Sequence, residues 1–172
     1  MPNPAQRRIS FKADTRNDTF AHRVLPPAPG GPNDPRTAGA TVTIYNSDPA
    51  PGHPTDAVTV TLAAANWKAI GKTTIYGYKY AGPDPNGPLS SVVIKNDVLT
   101  IRGGKANWGY TLNEPAQGRV AVRFALGDGS GWCADAAAKL GGNPPSSANY
   151  DKQDRFVAQT RTPAPASCPA LP

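Results

Sequence analysis

The sequence predicts an all-β protein: an antiparallel β-sandwich of about eight or nine strands, Ig-like or jelly-roll-like, with at most one short helix. Three observations carry that expectation. Apolar and polar residues alternate in run after run, the period-2 pattern of half-buried strands. The 17 glycines and 20 prolines stand between those runs as turn punctuation. Glutamate occurs once, at Glu114, and methionine once, at Met1, while Thr, Val and Ala abound, a composition poor for helices and suited to strands.

Taken in order, "RRISFKA" puts Ile9 and Phe11 on one face of a first strand, "ATVTIYN" does the same with Val42 and Ile44, and "AVTVTLA" with Val58, Val60 and Leu62. A strand is expected in "TTIYGYKY", where Tyr76, Tyr78 and Tyr80 alternate along one face. "SSVVIKNDVLTIRGG" reads as a hairpin turning at Asn96 and Asp97, residues that tolerate a left-handed backbone. "RVAVRFALGDGSGWCAD" repeats that design: Val120, Val122, Phe124 and Leu126 share a face, and Asp128 to Ser130 supply a Gly-rich turn. A last strand is expected in "DRFVAQT". The one helical suggestion is Ala134 to Leu140, "ADAAAKL", stopped by Gly141 and Gly142. Two long connections, "VLPPAPGGPNDPRTAG" and "NSDPAPGHPTD", carry prolines that exclude them from central strands and mark them as surface loops.

At 172 residues the chain fits one domain, read as residues 7–169 after a flexible arm at 1–6 and before a tail end at 170–172. Such a length buries roughly two thirds of the surface exposed by the unfolded chain and needs no cofactor to fold. The 18 Lys and Arg against 12 Asp and Glu give a formal charge of +6, so some attraction to polyanions is expected. The basic residues are scattered among aspartates, a pattern that argues for a solvated basic surface and against specific nucleic-acid recognition. No apolar run reaches the ~18 residues of a membrane span, and "MPNPAQRRIS" lacks the apolar core of a signal peptide.

The two cysteines lie 35 residues apart, Cys133 in the return strand after the Gly-rich turn and Cys168 in "TRTPAPASCPALP". That proline-rich tail has no regular structure of its own, so a Cys133–Cys168 bridge is the reading that orders it; two independent thiols are the alternative. The bridge implies an oxidising, extracytoplasmic compartment, with localisation outside the cell or at its surface.

Together "RRISFKAD", "GGPNDPRTAGATVTIYNS", "ANWKAIG" with "YGYKY", "VVIKNDVLTI", "TLNEPAQGRVAVRFALGDGSGWCA" and "APASCP" resemble an uncharacterised domain of secreted and cell-surface bacterial proteins, often repeated within long chains. The resemblance runs from about Arg7 to Pro169. It implies location and modularity, and brings no catalytic residue to carry over. Some members have a second cysteine pair around the hairpin that here reads "PLSSVVIKNDVLTIRGG"; this sequence lacks it.

Groups suited to catalysis are few. His22 and His53 stand in loop segments without metal-ligand spacing. "GDGSG" is a turn, since Asp128 and Trp132 occupy the glycine positions that a nucleophile elbow at Ser130 requires. With one glutamate, a glycosidase pair would rest on loop aspartates. No calcium-loop pattern occurs. The expected function is therefore a non-enzymatic extracellular structural or adhesive module without cofactor or metal, with cell-surface components or further copies of itself as partners. Ile9 and Phe11 are the candidate assembly strand. The alternative is a carbohydrate-binding module that stacks sugars on Tyr76, Tyr78, Tyr80, Trp67 and Trp108; a hydrolase ranks third.

Overall fold

The computed structural model describes residues 8–10, 26–53, 55–85, 87–95, 98–103, 109–110, 112, 116–127, 131–153, 155–159, 162 and 165–172, with only the backbone of 8–10 and 98. Eleven strands form three sheets among these residues. Sheet I has the order β3 (Ala57–Leu62), β2 (Ala40–Asn46), β8 (Arg119–Leu126), β9 (Gly131–Ala137), antiparallel throughout. Sheet II is a meander of β4 (Trp67–Ile70), β5 (Gly77–Ala81), β6 (Leu89–Lys95) and β7 (Val98–Gly103). Sheet III is small: β1 (Arg8–Ser10) lies parallel to β11 (Arg155–Val157), which pairs antiparallel with β10 (Asp151–Lys152). The sandwich expected from the alternation is the fold observed.

Register shows why. Because side chains alternate across a strand, the pairings Val42 with Phe124, Ile44 with Val122 and Phe124 with Trp132 place all of these on one face of sheet I. In sheet II the pairings Trp67 with Tyr80, Tyr80 with Val92 and Tyr78 with Ile94 do the same. The two apolar faces meet in one core, where the Trp67 ring lies 5.6 Å from Tyr80 in its own sheet and 6.4 Å from Phe124 in the other. The Trp67 indole also donates to the Leu62 carbonyl (3.4 Å), fixing the crossing from sheet I to sheet II.

Four expectations change. Ala134 to Ala137 belong to β9 and not to a helix. Trp132, Ala134, Ala136 and Ala138 are all buried, so the stretch keeps a strand period, and a full ladder with β8 outweighs the fraction of a kcal/mol per residue by which alanine favours a helix. The one α-helix among the described residues, α1 (Pro35–Ala38), lies in a connection read as a surface loop. Asp34 caps it by accepting from the Arg36 amide (2.9 Å), proline begins it, and Gly39 ends it at φ 68°. β4 and β10 are additional strands, each too short to show a pattern by itself. Lys95 pairs with Val98, consistent with a two-residue connection, although Asn96 and Asp97 lie outside the described residues, as do the turn at Asp128 to Ser130 and the arm at 1–6.

Candidate binding surface

Each sheet has a second, outward face, and the two are finished differently. On sheet I the outward positions include Tyr45, Ala121 and Cys133, and all three are buried although they point away from the core. The C-terminal tail is held against Tyr45 and Cys133. Cys168 is bonded to Cys133, with Cα atoms 5.8 Å apart. The Tyr45 hydroxyl donates to the Pro169 carbonyl (2.7 Å), and Arg123 donates from Nε to the Tyr45 hydroxyl (3.1 Å) and from Nη2 to the same Pro169 carbonyl. Burial raises the Tyr45 pKa, with Arg123 opposing it. By chain entropy, closing the 35-residue loop stabilises the fold by about 3.5–4 kcal/mol.

On sheet II the outward face is open. Lys68, Lys79, Lys95, Thr100 and Arg102 are exposed along it, with Ile70, Ser91 and Val93 half-buried between them. Lys68 and Lys79 are direct cross-strand partners, an arrangement of like charges that costs stability unless something anionic lies between or over them. Lys95 stands one register step from Lys79 on the neighbouring strand, and its Nζ lies 5.2 Å from the centre of the Tyr76 ring. No outward-facing residue of these four strands is acidic.

Three of the five aromatic residues singled out from sequence, Trp67, Tyr78 and Tyr80, are buried and offer no ring for stacking. Tyr78 and Tyr80 do share a face, but it is the inner one: they are 0% and 6% exposed, and Trp67 is 4% exposed. The Tyr78 hydroxyl donates to the Pro27 carbonyl (3.0 Å), and burial raises its pKa. Only Tyr76, just before β5, is open, at 44%. Trp108 lies outside the described residues. Sequence contained the missing signal: Lys79 between the two tyrosines takes the water side and turns both rings inward. The backbone of Ile9 pairs with Phe156 of its own chain in sheet III, which is the ordinary use of a strand; Phe11 lies outside the described residues.

Polar groups elsewhere serve the fold. Asp151 accepts from the amides of Gln117 (2.6 Å) and Gly118 (2.8 Å), tying sheet III to the strand entering β8. Gln117 Oε1 in turn accepts from the Tyr110 hydroxyl (2.7 Å). The Ser47 hydroxyl donates to Asp135 (2.5 Å), whose other oxygen is paired with Arg119 (2.6 Å), so that carboxylate is committed to an ion pair. His53 Nδ1 lies 3.6 Å from Asp48, while His22 and Glu114 lie outside the described residues. Among the described residues no group of three or more His, Cys, Asp or Glu could hold a metal ion. Among them, too, no helix is long and apolar enough to cross a membrane.

No family model, curated protein or solved structure matches this chain.

Proposed function

We propose that this domain is a non-enzymatic, extracellular structural or adhesive module that meets cell-surface components through the outward face of sheet II. The observation that carries this reading is the contrast between the two outer faces. One is closed by a covalently pinned tail, and the other is an array of exposed cations. A disulfide as the anchor favours an oxidising compartment, where such bonds form and persist. The resemblance to domains of secreted and cell-surface bacterial proteins points the same way. The carbohydrate-binding alternative loses Tyr78, Tyr80 and Trp67 to the core, so glycan contact is assigned chiefly to charged and hydroxylated side chains.

The test is to export the protein to an oxidising compartment and offer it washed cell-envelope fragments. Retention without release of soluble fragments, by protein that carries no free thiol, is the expected result. Turnover of the envelope material, or two free thiols in native exported protein, would contradict the reading.

A further inference from the structure

Every strand of sheet II contributes to one outward surface. β4 gives Lys68 and Ile70, β5 gives Lys79 and Ala81, β6 gives Ser91, Val93 and Lys95, and β7 gives Thr100 and Arg102. With strands ~4.8 Å apart and same-face residues ~6.8 Å apart along a strand, the cations spread over a patch about 15 Å across. A single small anion would engage at most the adjacent Lys68 and Lys79. The spread fits a chain of anions. A surface that keeps two lysines opposite each other gives up stability in the free protein, which a bound anion would restore.

We infer that this face binds an acidic polysaccharide, a polymer bearing carboxylate, sulfate or phosphate groups on sugar units. The inference rests on the adhesive reading above and names its ligand class. Charge complementarity supplies attraction, since the four strands place Lys68, Lys79, Lys95 and Arg102 on the face and contain no acidic residue. Thr100 and Ser91 place hydroxyls among the cations, suited to sugar hydroxyl groups. Nucleic acid fits the face less well. Single strands are held by successive exposed stacking rings, and here Trp67, Tyr78 and Tyr80 point into the core, which leaves Tyr76 beside Lys95 as the one open ring of the four. Base readout in the major groove uses a helix or two-stranded ribbon that enters it, whereas this face presents a sheet of four strands.

The probe is polygalacturonate, with dextran as the neutral polymer and single-stranded DNA as the competing polyanion, each titrated into the intact disulfide-bonded protein. Affinity for polygalacturonate should fall as salt rises and exceed that for the other two. The Lys68→Gln/Lys79→Gln variant should lose at least tenfold. A Lys139→Gln/Lys152→Gln variant, with the same change in net charge from exposed lysines away from this sheet, should lose less than twofold. Lys79→Gln alone, with an intermediate loss, serves as the check if the double variant folds poorly. Equal losses in both double variants would overturn the proposal by making the attraction a matter of net charge. Equal affinity for dextran would overturn it by removing charge from recognition, and tighter binding of DNA by reassigning the face. Retention on envelope fragments without affinity for polygalacturonate would overturn this inference while leaving the adhesive reading in place.

Discussion

The outer faces of sheets I and II are built by the same rule and end in opposite states. Both lie behind strands whose other side packs into the common core, and both present every second residue outward. On sheet I those residues include Tyr45, Arg123 and Cys133, to which a tail without strands is fastened through one covalent bond and the carbonyl of Pro169. On sheet II they are Lys68, Lys79, Lys95 and Arg102, which nothing in the described chain covers by a covalent or tail contact. A sandwich this size needs only one apolar face per sheet. What a chain places on the outward positions is therefore free to differ: on sheet I they receive the chain's own tail, and on sheet II they carry exposed cations, the face to which the proposed function assigns a partner.

The largest effect is expected where the two sheets depend on each other. Tyr78→Ala removes a fully buried ring and its hydrogen bond to Pro27, and should destabilise the domain by about 3–5 kcal/mol in denaturant unfolding. A loss under about 1 kcal/mol would mean that the ring is not core and would return it to the surface. Next comes the covered face. Cys133→Ala/Cys168→Ala should cost about 3.5–4 kcal/mol by chain entropy and free the tail, detected as new protease cleavage after residue 160. If the double variant kept its tail protected, the tyrosine and arginine contacts to Pro169 would be sufficient to hold it.

A third expectation concerns the loop that supports Tyr78 from outside. The Asp34 carboxylate receives Arg36 (2.6 Å) and the amides of Gly30 and Arg36, and the Arg36 hydrogen bond is the main reason its pKa falls from 3.8 to about 2. A depressed folded-state value means that the stabilisation is complete above the unfolded value and is lost as pH falls toward 2. The difference corresponds to roughly 2 kcal/mol lost between about pH 4 and pH 2. Asp34→Asn should flatten that part of the stability–pH curve; an unchanged acid limb would show that the pair does not hold the loop.

The smallest effect has the opposite sign. Lys68→Gln/Lys79→Gln relieves a like-charge cross-strand pair and should raise the melting temperature by about 1 °C, measured without ligand at low salt. A clear fall would make those lysines part of the fold and weaken the contrast with sheet I.

Much of this was legible in the residues. Val42, Ile44, Val120, Val122 and Phe124 alternate cleanly and went where their period sends them. The tail declared its anchor through Cys168, because a proline-rich segment has few other ways to be held. Three features were harder to read for definable reasons. "ADAAAKL" carries helix-favouring alanines, and only its neighbour across the sheet decides that it is strand. Asp151 meets Gln117 and Gly118 across 33 residues and more of chain, a pairing no local pattern encodes. The open face needs the register of four strands before Lys68, Lys79, Lys95 and Arg102 become neighbours, since in sequence they look like scattered surface charge.

The central claim is that the outer face of sheet II is the surface through which this domain works, and lysine acetylation footprinting reads that face residue by residue. The free protein should be modified at Lys68, Lys79, Lys95, Lys139 and Lys152, all of them exposed. With polygalacturonate present, Lys68, Lys79 and Lys95 should be protected at least fivefold while Lys139 and Lys152 react as before. Uniform protection of all five, or protection confined to Lys139 and Lys152, would contradict the account.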